Sequence, residues 1–102
     1  MKSLFNFTYE NFLPTIATQV ECKILISKLY ELAPENSSVS AMVEHLAEDE
    51  FRAQVAVVSN AGQFIGMARG PSATRAAKLA ITRVSESLWK WRGLGFEEKL
   101  TG

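Results

Sequence analysis

Between Phe51 and Arg69 the chain holds two alternating runs separated by Asn60-Ala61-Gly62, and this arrangement constrains the fold more than any other feature. Phe51, Ala53, Val55 and Val57 recur with a period of two, while Arg52 and Gln54 fall between them. One face of a strand is therefore apolar and the other polar. Asn60-Ala61-Gly62 offers the residues that tolerate positive φ, as a tight hairpin requires. Gln63 to Arg69 is the returning strand, in which Gly66 and Gly70 leave room for close backbone approach or a bulge.

The flanking segments supply the rest. Ser3 to Tyr9 alternates, with Leu4, Asn6 and Thr8 opposing Phe5, Phe7 and Tyr9, and is predicted to form a first strand. Pro14 is expected in the first turn of a helix, where its missing N–H costs nothing. That helix runs to Leu32 and stops at Ala33-Pro34-Glu35-Asn36-Ser37-Ser38. It carries two apolar stripes, Ile16, Val20 and Ile24, then Cys22, Leu25, Ile26, Leu29 and Leu32. A helix so apolar is either deeply packed or covers a partner, and deep packing is the expectation. Val39, Ala41 and Val43 alternate up to His45 as a second strand, and Ala47-Glu48-Asp49-Glu50 forms a charged turn. A final helix opens at Gly70-Pro71-Ser72, with Ser72 as N-cap or Pro71 in the first turn, and is expected to end near Arg92 at Gly93-Leu94-Gly95. The order βαβββα predicts an α+β, two-layer sandwich: a four-stranded sheet with both helices packed on one face. Residues 1–95 form one domain, and residues 96–102 a short flexible tail.

The inventory of side chains excludes much. In 102 residues there is one histidine, His45, and one cysteine, Cys22. No intrachain disulfide is possible, and a three- or four-ligand zinc site cannot be assembled from them. Cys22 reads as a packing thiol and His45 as a surface or edge residue without a partner for acid–base work. Gly66-Met67-Ala68-Arg69-Gly70 lacks the third glycine and the βαβ context of a dinucleotide loop, and Glu48 to Glu50 lack calcium-loop spacing. No enzymatic activity, cofactor, metal or small-molecule substrate is expected. Neither a membrane span nor a signal-peptide core is present in the sequence, so the expected location is the cytoplasm.

Net charge is zero, yet the charges are segregated. Arg69, Arg75, Lys78, Arg83, Lys90 and Arg92 face a single anion, Glu86, within the last helical stretch, whereas Glu31, Glu35, Glu44, Glu48, Asp49 and Glu50 gather in the middle. On a helical wheel Ala77, Ala80, Ile81, Val84, Leu88 and Trp91 share one arc and must face the sheet, so Trp91 is structural. Arg75, Lys78, Arg83 and Lys90 fall on the exposed half, spread over about 22 Å of helix axis. That spread suits successive phosphates of a nucleic acid. The backbone N–H groups at Gly70-Pro71-Ser72 are another potential phosphate contact. Trp89 projects outward and is placed to stack on a base or a partner.

The βαβββα order, the strand Phe51-Arg52-Ala53-Gln54-Val55-Ala56-Val57, the Asn60-Ala61-Gly62 hairpin, Phe64-Ile65-Gly66-Met67-Ala68 and the helix positions Ala76, Ala77, Ile81, Arg83, Val84, Leu88 and Lys90 together resemble the ribosome hibernation-promoting factors. Pro14-Thr15-Ile16 with Val20 and Lys23 is similar to the family's first helix. The match covers residues 3 to 92. It implies a single-domain member, without the dimerising C-terminal domain of the long forms, that binds ribosomal RNA in the mRNA and tRNA channel of the small subunit, inhibiting translation and stabilising idle ribosomes under stress. Carried over from the resemblance, Lys23, Arg83 and Lys90 are the implied contacts. Arg75 and Lys78 join them by geometry, and Lys28, Arg69 and Arg92 complete the set of cations assigned to RNA. Ser72 and Thr74 stand where the family has an acid and a tyrosine, and Glu86 occupies a usually basic position. Two other readings stand beside this one. A double-stranded-RNA-binding domain fits Gly70-Pro71-Ser72, Ala76 and Ala80, but Ala73 and Thr74 replace its paired lysines. A protein-interaction module, a homodimer through the second stripe of the first helix or the open sheet face, fits the zero net charge.

Overall fold

The structure, a computed structural model, describes residues 5–34, 36–60 and 62–101, with the side chains of residues 6–34, 36–60 and 62–91. Ser3, Leu4, Glu35 and Ala61 of the segments above, and the side chain of Arg92, lie outside the described residues. The elements are β1 (Phe5–Glu10), α1 (Ile16–Leu32), β2 (Ser38–Ala47), β3 (Glu50–Ser59), β4 (Gly62–Gly70) and α2 (Ala73–Thr101). They form one mixed sheet in the order β1-β2-β3-β4, with the βαβββα, α+β architecture expected.

β1 runs parallel to β2, with Phe7 beside Ala41 and Tyr9 beside Val43, so α1 is the crossover that a parallel pair requires. β2, β3 and β4 are antiparallel neighbours. Asp49, in the left-handed region at φ 60°, makes the β2–β3 turn, and Gly62 at φ 134° closes the β3–β4 hairpin. Val39, Ala41, Val43, Ala53, Val55 and Val57 are all buried on the face toward the helices. They meet Cys22, Ile26 and Leu29 from α1 and Ala76, Ala77, Ala80, Ile81, Val84 and Leu88 from α2. The arc expected for α2 is the one observed, except that Trp91 stays 37% exposed and packs edge-on against Phe64 at the rim of the core.

Gly66 and Gly70 of β4 do what their spacing suggested. A Cβ on Gly66 would lie 2.7 Å from the Ala80 carbonyl oxygen and 2.7 Å from Val84 Cγ2, and one on Gly70 would lie 2.9 Å from the Ala76 nitrogen. α2 therefore lies directly on the β4 backbone, a distance that its alanine-rich face permits.

Three expectations are corrected. Pro14 precedes the helix: Thr15 is the N-cap, its side-chain oxygen accepting from the Thr18 N–H at 3.1 Å. A β-hydroxyl satisfies a free N–H at that position, which Pro14 cannot do. Deep packing holds for only one stripe of α1, because Ile16, Val20 and Ile24 are 80%, 51% and 51% exposed. A helix in a two-layer fold has one covered side, and the sheet and α2 take the side of Cys22, Ile26 and Leu29. Lastly, α2 does not stop at Gly93-Leu94-Gly95 but continues to Thr101. Glycine costs a helix only about 1 kcal/mol per residue, and the Glu97, Glu98, Lys99 and Leu100 that follow are good helix formers.

Gly66→Ala is expected to destabilise the fold by about 1–3 kcal/mol, the usual cost of forcing a methyl group into a filled space. Urea denaturation measures it, and an unchanged midpoint would contradict the close α2–β4 contact.

Candidate nucleic-acid interface

Charge is divided between the two layers. Over their described side chains α1 and α2 carry six cations (Lys23, Lys28, Arg75, Lys78, Arg83, Lys90) and three anions (Glu21, Glu31, Glu86), a net of +3. The strands and the β2–β3 turn carry two cations (Arg52, Arg69) and five anions (Glu10, Glu44, Glu48, Asp49, Glu50), a net of −3. The zero total of the sequence thus conceals a dipolar molecule, and zero net charge is no argument against an anionic partner on the helix side.

The pairing pattern deepens the division. Both ion pairs among the described residues belong to the sheet: Arg52 with Glu44 at 2.5 Å and Arg69 with Glu50 at 2.9 Å. Lys23, Lys28, Arg75, Lys78 and Lys90 are exposed and form no ion pair with any described residue. Their charges are left to solvent or to a ligand. Arg83 differs, because its guanidinium donates to the Met67 carbonyl at 2.8 Å and is thereby tethered to β4.

Six of the eight cations assigned from sequence lie on the helix layer, from Lys23 beside the β1 edge to Arg83 at the β4 edge. Arg69 is not among them, since it lies on the open face of the sheet, on the same side as Glu50 and Arg52. The Arg92 side chain lies outside the described residues.

How the helices hold the cations follows from the chain path. β1, β2 and β4 run in one direction and each helix returns against the strand before it, so α1 and α2 are parallel and their N-termini lie at the same end. There Thr74 of α2 donates to the Glu21 carboxylate of α1 at 3.2 Å. This link fixes one cationic helix to the other, yet its partners are 53 residues apart and no local pattern announces them. Ser72 caps α2, its hydroxyl accepting from the Arg75 N–H at 3.2 Å. That N–H is therefore already satisfied within the chain.

Behind α1, Tyr9 and the fully buried Cys22 interact across the β1–α1 contact. Burial, then the Cys22 sulfur, pushes the Tyr9 phenol up to about 12. Burial likewise raises the Cys22 thiol, which the Tyr9 hydroxyl partly offsets. His45 stacks on Phe51 at 4.5 Å and meets Phe12 edge-on at 6.2 Å, so its ring is part of an aromatic cluster. Among the described residues no group of three or more His, Cys, Asp or Glu could hold a metal ion, and no helix is long and apolar enough to cross a membrane.

No protein-family model and no curated protein matches the sequence. Solved structures do. A ribosomal subunit interface protein from Coxiella burnetii superposes with a TM-score of 0.69 at 12% identity, covering 87% of this chain and 97% of that one. The N-terminal domain of Protein Y from Thermus thermophilus superposes with a TM-score of 0.67 at 16% identity, covering 87% and 99%. The chain has the fold of these two proteins. The architecture implied by the resemblance in sequence is thus present over nearly the whole length of both neighbours.

The Tyr9 environment gives a direct test of how β1 and α1 meet. A phenol whose value is raised in the fold from about 10 favours the protonated form, so its contribution to stability is full below about pH 10 and is lost as the pH climbs through about 12. Ultraviolet titration should resolve a tyrosine ionising near 12, and Tyr9→Phe should remove that transition.

Proposed function

We propose that this chain is a non-enzymatic, cytoplasmic ribosome-binding protein that docks on ribosomal RNA through the outer side of α1 and α2. The observation that carries the proposal is the helix layer itself: five exposed cations without ion-pair partners among the described residues, on two parallel helices fixed to one another. Cations so placed release counterions when they meet phosphates, which supplies affinity without sequence readout. The fold neighbours add support, one being a ribosomal subunit interface protein. The hibernation-factor resemblance gives the finer reading, in which the site is the mRNA and tRNA channel of the small subunit and the effect is inhibition of translation and preservation of idle ribosomes under stress.

In this reading Lys23, Lys28, Arg75, Lys78 and Lys90 reach phosphates, and Arg83 does so while bound to β4. Trp89, 59% exposed on α2, lies on the same side and can stack on an unpaired base. Glu86 sits among these cations and lowers the affinity they would otherwise give. Arg69 is left to its pair with Glu50.

Sucrose-gradient co-sedimentation with ribosomes tests the proposal. With about six phosphate contacts, binding should fall roughly 10³-fold between about 50 and 200 mM salt. Arg83→Glu combined with Lys90→Glu should abolish association while the circular dichroism spectrum is retained. Glu86→Lys should tighten binding. Co-sedimentation of the double variant at the wild-type level would overturn the assigned face.

A further inference from the structure

The two edges of the sheet are finished differently. At β4 the Arg83 side chain holds a backbone carbonyl of the strand. β1 has none of the sequence features that guard an edge: Phe5–Glu10 contains no lysine and no proline, and it pairs with β2 without a bulge. Beside that edge stand Ile16 and Val20 of the uncovered stripe of α1. A cleft of about 350 Å³ runs between strand and helix, walled by Phe7, Ile16, Val20 and Ile26, with Lys23 and Gln19 lining it. An unpaired strand edge next to exposed apolar side chains is a surface suited to another chain.

We propose that this chain is a second copy of the same protein, joined by antiparallel β1–β1 pairing about a two-fold axis into a continuous eight-stranded sheet. β1 is its own complement. Phe7 and Tyr9 lie toward the helices, as do their β2 neighbours Ala41 and Val43, while Asn6 and Thr8 lie on the open face. Any in-phase antiparallel register therefore sets aromatic against aromatic and polar against polar. The one charged residue of the strand, Glu10, is terminal and meets no like charge across the axis unless only the strand ends pair.

Spacing agrees. α1 lies over β1 and β2, so the two copies of α1 stand about two strand spacings apart across the axis, roughly 10 Å. That is the distance at which helices pack, and it brings Ile16 and Val20, which line the cleft, to the contact. The contact is small, below about 1,200 Å² in total, which places it among weak and concentration-dependent interfaces. Pairing also draws the two Lys23 ammonium groups into a shared cleft. Their repulsion opposes dimerisation, so salt promotes it, the reverse of its effect on binding to RNA. The inference stands on the edge and the stripe and does not rest on ribosome binding.

Sedimentation equilibrium of the full chain, without ribosomes, from micromolar to millimolar concentration is the test. A dimer that grows with concentration and with salt is expected. Lys23→Gln should strengthen it, and Thr8→Lys and Val20→Lys, both at exposed positions, should each weaken it by about tenfold or more. Hydrogen exchange at β1 amides should slow as concentration rises. A monomer persisting to millimolar concentration, or a dimer unmoved by both Thr8→Lys and Val20→Lys, would overturn the proposal.

Discussion

The contact between α2 and β4 sets where everything else can be. At Gly66 the strand comes so near the helix that the Ala80 carbonyl and the Val84 side chain occupy the space a Cβ would need, and Gly70 repeats the approach at Ala76. Two such points fix a helix along a strand in position and in direction. Ala73, Ala76, Ala77 and Ala80 make the approach possible, since larger side chains would hold the layers at the usual separation of about 10 Å. Seated in this way, α2 offers α1 the remaining half of the sheet, and the Thr74–Glu21 bond joins the two helices. The cations on their outer side are therefore held on a rigid support, although each side chain is itself mobile and solvated.

That support matters because the charges alone are modest. Six cations against three anions would be unremarkable if each cation had a carboxylate beside it. Here the carboxylates that do form pairs are on the other side of the sheet, where Glu44 holds Arg52 and Glu50 holds Arg69. The exposed Arg69–Glu50 pair contributes little to stability, from about 0 to 1 kcal/mol, while the Arg52–Glu44 pair is half-buried. Their consequence is a matter of field: they neutralise the two cations of the sheet, while the excess acid of the β2–β3 turn lies at the end of the sheet where both helices begin. An approaching polyanion meets a positive layer on one side and a negative one on the other, so its orientation is selected before any contact forms.

Much of this was legible in the chain because period-two and period-3.6 patterns report which side of an element is covered. The alternation of Ala53, Val55 and Val57 and the arc from Ala77 to Leu88 report the covered side for that reason, and Gly66 and Gly70 mark the close approach because a glycine within a strand has few other uses. α1 defeated the same method. Its two stripes are equally apolar on a helical wheel, and only the position of α2 decides that Cys22, Ile26 and Leu29 are covered while Ile16, Val20 and Ile24 are not. The end of α2 was misplaced because Gly93 and Gly95 lower helix propensity without preventing a helix. Among the candidate site residues, charge and helical periodicity are enough to place Arg75, Lys78 and Lys90 on the exposed side of α2, where they lie. They could not separate Arg69, whose strand parity puts it beside Glu50, or show that Arg83 is tied to the backbone of Met67. Partners that are distant in sequence leave no local signal.

Arg83 joins the two surfaces of the molecule. A guanidinium has five N–H donors in a rigid plane, and the bond to the Met67 carbonyl engages one group of them. The remainder can meet a phosphate without releasing the strand, so the residue can guard the β4 edge and serve the cationic layer at once. A lysine, with one compact ammonium group, would have to divide itself between the two. A side chain drawn from the cationic helix thus engages one carbonyl of the β4 edge. In the proposed reading nucleic-acid chemistry lies over α1 and α2 and protein chemistry at β1, and Lys23, which lines the cleft between α1 and β1, stands at the border of both.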